Sequence, residues 1–403
     1  MDTTENEDVP TEPTATITAT ETAIGSSEVE HRFGAVTVRG RPSDIRAEAA
    51  AASSSVAITN NNTQTQSDNE DEDENDDNRS EPDRDSDLMA DVPDDADDLD
   101  FTHARIADLV PLNLARLKSL KTLGLRQNQI PKVVGFDEMP ELIDLDLYDN
   151  RISVVEGFRG TPNLMSLDLS FNKIRAIQNV NHLIRLTDLY FAANKISVIQ
   201  NLTSLTQLTN LELGANRIRK IENLETLVNL EQLWLGKNKI SKIEGLEKLT
   251  KLKILSIQSN RLQRIEGFST LVNLQELFLS HNGIVQLEGL ESCASLRIID
   301  VGNNRIPKIE GLEGCIVLEE LWANNNLIPT LNDPAFEQQL GATVKPTLTT
   351  LYLEGNPLQS AAGGTYRLKV QLAMPQLTQI DAIAIKPHSG VAAATLTALA
   401  HNI

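Results

Sequence analysis

An asparagine returns every 22 residues along most of this chain, and that spacing constrains the fold more than any other feature. It stands at Asn128, Asn150, Asn172, Asn194, Asn216, Asn238, Asn260, Asn282, Asn304 and Asn326, with no slip in register. Around each one apolar residues recur at −5, −3, +2, +5, +8, +11 and +14. In the Asn216 unit these are Leu211, Leu213, Ile218, Ile221, Leu224, Leu227 and Leu230. Leu-x-Leu before the asparagine has period two, which predicts a strand with both leucines facing inward. After the asparagine the apolar spacing is three. On an α-helix three residues turn roughly 300°, so such a stripe drifts around the barrel, whereas on a 3₁₀-type turn it stays on one face. Each unit therefore reads as a short strand, a turn, and a 3₁₀ or extended return. The asparagine amide is placed to bond backbone groups that would otherwise be buried unpaired, so these residues are structural.

One such coil cannot bury its apolar face alone; stacking does that. With strands ~4.8 Å apart, about a dozen coils predict a curved α/β repeat solenoid about 50 Å long, with a parallel sheet on the concave side and a 3₁₀ or extended convex side. The pattern is that of a leucine-rich repeat. The solenoid is expected over 99–364, in about twelve 22-residue repeats. Its first unit is degenerate: Leu99, Phe101, Ile106, Leu109 and Leu117 fit loosely, with Ala104 at the asparagine position. The next ladder asparagine after Asn326 is Asn356, 30 residues on, and the extra residues Asp333–Pro346 are expected as a helix or loop on the rim. A cap with a helix is expected over 365–383, and 384–403 form a short apolar tail that the repeat does not place.

Charge is distributed unevenly. The net charge of the 403 residues is −21, yet the first 100 carry 28 acidic and 6 basic residues, which leaves 29 acidic and 30 basic in the rest. The segment 1–98 reads as a disordered acidic tail, because it holds too little apolar surface to offset the entropy of ordering. Within it Arg32–Arg46 forms a small basic island. The near-neutral body argues against nucleic-acid binding, which draws on paired Lys and Arg. The N-terminus shows no secretory leader, no apolar run is long enough to span a membrane, and two cysteines do not make a disulfide framework. A nuclear and cytoplasmic protein, monomeric by itself, is expected.

The residues between the inward leucines should point outward. Those at −4 are Gly124, Asp146, Asp168, Tyr190, Glu212, Trp234, Ser256, Phe278, Asp300, Trp322 and Tyr352. Five of the chain's 15 aromatic residues, both tryptophans among them, fall on these positions, where uniform placement would put fewer than one. The −6 row adds Asp144, Asp188, Glu276 and Glu320, and the two rows together hold no Lys or Arg. Aromatic residues ringed by charge are how interface hot spots are built. The candidate partner-binding residues are therefore Asp146, Asp168, Tyr190, Glu212, Trp234, Phe278, Asp300, Glu320, Trp322 and Tyr352.

Nothing points to catalysis. There is no phosphate loop, no HExxH and no Cys/His cluster with metal spacing, so no catalytic residue, metal or cofactor is expected. Cys293 and Cys315, 22 apart at +11, read as buried reduced thiols.

Ten repeats with Ile at +2 and +5, the strings LDLSFN (167–172), LELGANRI (211–218), LGKNKI (235–240) and YLEGNPLQ (352–359), and the YR…MPxLxxID cap closely resemble the sds-type family, the leucine-rich regulatory subunits of protein phosphatase 1. The resemblance covers about 99–383. It implies that the concave face binds the phosphatase-1 catalytic subunit through Asp168, Tyr190, Glu212, Trp234, Asp300, Glu320, Trp322 and Tyr352, with Tyr190 and Trp234 standing where the family commonly has Phe. It further implies a ternary complex with an inhibitor subunit and a role in mitotic dephosphorylation and chromosome segregation. Lys132–Phe136 (KVVGF) loosely matches a phosphatase-docking motif but falls on core positions of a repeat. The alternatives are a ribonucleoprotein scaffold like the spliceosomal A-prime component, or a cytoskeletal adaptor of the axonemal light-chain type.

Overall fold

The computed structural model describes residues 88–330, 344 and 346–385, together with the backbone of Arg32–Phe33 and Val36–Thr37. All of the expected rim insertion (Asp333–Pro346) except Val344 and Pro346, most of the acidic tail and nearly all of 384–403 lie outside the described residues.

Twelve three-residue strands, from β3 (Asp98–Asp100) to β14 (Thr350–Tyr352), pair in parallel in strict chain order. Every pair keeps one register: Leu211 lies opposite Leu189 and Leu233, and Leu277 opposite Leu255 and Ile299. The chain is a leucine-rich-repeat solenoid, with its strands on the concave side. Two hairpins extend the sheet at its ends. β1 (Arg32–Phe33) and β2 (Val36–Thr37) pair antiparallel, with Thr37 opposite Asp100. β15 (Gln379–Ile380) follows β14, and β16 (Ile383–Ala384) turns back on it.

In the eight units from Asn150 to Asn304 the return half is a pair of single i→i+3 turns, as the three-residue spacing requires. In the Asn216 unit Leu227 N–H bonds the Leu224 carbonyl and Leu230 N–H bonds that of Leu227, each at 3.0 Å. Among the described residues α-helix occurs in the cap, as α1 (Pro357–Ala362) and α2 (Tyr366–Ala373), and at the buried Val344 of the insertion. The apolar rows stack into one continuous core in which nearly every Leu and Ile of the pattern is fully buried.

The asparagine ladder holds neighbouring coils together. Asn216 Nδ2 donates to the carbonyls of Leu213 and Gly214 in its own coil and to Phe191 in the coil before, and its Oδ1 accepts from Ile196 N–H. A second position works with it. At +7 the backbone is left-handed in nine successive coils, and each residue there is Gly or Asn. Asn179, Asn201 and Asn223 donate to a carbonyl of the preceding coil at 2.7–2.8 Å. A Cβ on Gly311 would lie 2.5 Å from the equivalent carbonyl, that of Leu287. From Gly157 onward the position therefore admits either no side chain or one that bonds the oxygen it meets.

The first coil begins ahead of the boundary at 99. Met89 and Val92 are buried, and Arg116 donates to both their carbonyls while pairing with Asp94. Leu88–Asp98 thus belong to the folded body, because two apolar residues in an acidic stretch suffice to close the open end of the core. At the other end Asp381, fully buried, accepts from Leu353 N–H, Glu354 N–H and Tyr366 Oη–H. Cys293 and Cys315 are unpaired thiols in the core, and burial pushes them up to about 11 and about 12.

Candidate binding face

The ten candidate residues come together. Asp146, Asp168, Tyr190, Glu212, Trp234, Ser256, Phe278, Asp300, Trp322 and Tyr352 are successive register partners across ten strands, so nine of the candidates form one line with only Ser256 between them. At ~4.8 Å per strand the line is about 43 Å long. Glu320 lies beside it, two residues before Trp322. The alternation of inward leucine and outward polar or aromatic residue holds along the row, except that Ser256 and Asp300 are buried. Asp300 stands in register between Phe278 and Trp322, and its Oδ1 accepts Gly302 N–H at 2.9 Å, so it offers a partner little surface.

The C-terminal half of the row is held by its own contacts. Trp322 Nε1 donates to Glu320 Oε2 at 3.1 Å, and the Trp322 and Tyr352 rings lie 5.5 Å apart at 53°. Tyr352 Oη accepts from Gln379 Nε2, which ties the row to the cap. Farther along, Asn210 Nδ2 donates to Tyr190 Oη at 3.1 Å. These side chains are pre-positioned, which lowers the ordering cost of binding.

The N-terminal half is a carboxylate row. Burial is the main cause of its electrostatics: it pushes Asp168 up to about 7 and Asp144 up to about 6, and it raises Asp146 and Glu212. The neighbouring Asp146 adds to the shift at Asp168. An unfolded Asp titrates at about 3.9, so the folded chain holds protons here that the unfolded chain has released. The stability these protonated carboxyls contribute is full below about pH 4 and is lost as pH rises through 6 and 7. Asp168→Asn is expected to flatten the fall in unfolding free energy between pH 5 and 8 measured by urea denaturation; an unchanged slope would place the titration elsewhere.

The −2 row, which the two-row pattern passed over, also faces this surface. Arg126 Nη1 donates to Asp146 Oδ2 at 3.2 Å, and its guanidinium lies 4.1 Å over the Tyr148 ring. The carboxylates at the N-terminal end are thus partly neutralised by Arg126, from the −2 row. The continued alternation of the strand, Leu123-Gly124-Leu125-Arg126, was the signal that could have found it. In the KVVGF string Val133 and Phe136 are buried core residues, so it does not dock as folded. Among the described residues no group of three or more His, Cys, Asp or Glu is arranged to hold a metal ion.

Comparison with known proteins agrees with this architecture. The family model described as Leucine Rich repeats (2 copies) matches residues 228–270 and 272–314. An internalin of Listeria monocytogenes superposes with a TM-score of 0.56 at 21% identity, covering 72% of this chain and 87% of that one. A leucine-rich-repeat protein of Leptospira interrogans gives 0.53 at 24% identity, covering 66% and 74%. Both likenesses concern the fold. Two curated relatives are named Protein phosphatase 1 regulatory subunit SDS22. That of Schizosaccharomyces pombe is 49% identical over 63 residues, or 16% of this chain and 19% of the relative. That of Saccharomyces cerevisiae is 44% identical over 64 residues, or 15% and 19%. The chain therefore matches about a fifth of the length of each. The chain folds as a leucine-rich-repeat solenoid, and the regulatory subunits it resembles are those of the SDS22 type.

Proposed function

We propose that this chain is a non-catalytic regulatory subunit that holds the catalytic subunit of protein phosphatase 1 on its concave strand face. The observation that carries the proposal is the register line of acidic and aromatic side chains from Asp146 to Tyr352, interrupted only at Ser256. It supports a long, preformed protein interface with acid toward one end and rigid aromatics toward the other. The likeness to SDS22-type subunits supplies the partner's identity. The resemblance extends the proposal to action in the nucleus and cytoplasm, to control of mitotic dephosphorylation, and to a ternary complex with an inhibitor subunit.

The test is direct association. Purified chain mixed with purified phosphatase-1 catalytic subunit is expected to elute as a stoichiometric complex on size exclusion and to bind with a salt-sensitive, submicromolar Kd by calorimetry. Absence of association at micromolar concentrations would refute the proposal, and salt-sensitive binding to RNA instead would favour a ribonucleoprotein scaffold.

A further inference from the structure

The turn that follows each strand imposes a left-handed backbone on the residue just before the ladder asparagine. From Gln127 to Asn325 its φ lies between 53° and 56° in every coil. The occupants suit that geometry or tolerate it: Gln127, Asp149, Ala193, Ala215, Lys237, Ser259, His281, Asn303 and Asn325 are polar or small. Phe171 is the exception. A bulky aromatic at positive φ is a conformational outlier, and folding does not require it. The core positions of its coil are filled by Leu169 and Ile174, both fully buried, while Phe171 is 49% exposed. The chain thus bears a strained backbone and an exposed ring at one site.

That ring is not isolated. Its centroid lies 4.7 Å from that of Tyr148, and Tyr148 in turn carries the Arg126 guanidinium on its ring. The result is a three-residue stack on the rim at the exit of β5 (Asp144–Asp146) and β6 (Ser166–Asp168). It is continuous with the strand face, because Tyr148 N–H donates to Asp146 Oδ1 and Ser170 N–H to Asp168 Oδ1. Two carboxylates flank it: Asp146, paired with Arg126, and the exposed Asp149 at the equivalent turn position one coil earlier.

We infer that Phe171, stacked on Tyr148 and Arg126, is a second anchor point for the phosphatase catalytic subunit, one that receives an apolar side chain flanked by a basic residue. The inference rests on the proposed function and extends its interface from the centre of the sheet to the N-terminal rim. The two rings, tilted at 44°, supply the apolar surface, and the exposed Asp149 supplies the neighbouring negative charge.

Phe171→Asn tests it, since asparagine is, after glycine, well suited to left-handed backbone. The variant is expected to bind the catalytic subunit about tenfold more weakly while its thermal unfolding midpoint stays the same or rises; Phe171→Tyr, which keeps the ring, should bind as the parent does. Trp234→Ala/Trp322→Ala is measured alongside. If that pair loses binding while Phe171→Asn binds normally, the rim anchor is wrong and the strand-face interface stands. If both bind normally, the strand-face interface itself is wrong and the anchor falls with it. Weaker binding accompanied by a lowered midpoint would make Phe171 a folding residue and overturn the inference.

Discussion

Replacing Trp234 and Trp322 together by alanine is expected to weaken binding of the phosphatase-1 catalytic subunit by roughly a thousandfold while leaving the solenoid folded. Truncation of a central buried tryptophan at an interface costs about 2 kcal/mol or more, and two such losses of about 4 kcal/mol correspond to that factor. Trp322 should account for the larger share. Its indole N–H is already committed to Glu320 and its ring to Tyr352, whose hydroxyl is fixed by Gln379. Removing it releases three side chains that are ordered before the partner arrives. Trp234 has register neighbours Glu212 and Ser256, so its loss removes contact area without loosening a network. Neither residue belongs to the core, whose strand leucines Leu233 and Leu321 remain buried beneath them. Calorimetric titration with circular dichroism as the folding control measures both effects. Undiminished affinity in a folded double variant would move the interface off this face.

How far these features could be read from the sequence depends on whether they live within one repeat or between repeats. The strand, the inward leucines and the outward −4 residue follow from alternation over a few residues, and the 22-residue period then places all the −4 residues on one line. Features that join coils at an offset were not legible in that way. Arg126 reaches Asp146 across 20 residues, from a row two positions on, so counting charge within rows 4 and 6 residues ahead of the asparagine missed it. Burial of Asp300 is a property of its place in the stack, in register between Phe278 and Trp322, and not of its own repeat. The alternation of Gly and Asn at +7 was visible, but its cause, a neighbouring carbonyl that either excludes or bonds a side chain, requires the coil-to-coil geometry. The early start of the first coil escaped because Met89 and Val92 lie in acidic sequence that no period marks.

The ladder itself gives the largest expected effect on stability. Asn216→Asp changes one atom's chemistry, yet it should cost about 3–5 kcal/mol, the range for a buried charge left uncompensated. Asn216 Nδ2 faces three carbonyl oxygens, of Phe191, Leu213 and Gly214, at 2.8–3.1 Å. A carboxylate there brings oxygen against oxygen, and only Ile196 N–H remains as a donor to it. The chain shows the converse arrangement at its own end. Beyond the last coil the groups to be satisfied are donors, Leu353 N–H, Glu354 N–H and Tyr366 Oη–H, and the residue that meets them is Asp381. Asparagine is used where carbonyls predominate, aspartate where donors do. Asp381→Asn keeps an accepting oxygen for those three donors, so its cost should be well below that of Asn216→Asp. Position adds to chemistry. Asn216 belongs to the coil of the sixth of the twelve parallel strands, and in a stack where each coil contacts only its neighbours, a central break uncouples both halves whereas a terminal one frays an end. Urea denaturation of the two variants separates these costs, and amide exchange at Ile196 should accelerate in the first and not in the second. Equal destabilisation by the two swaps would mean that donor and acceptor matching along the ladder does not govern the stability of the stack.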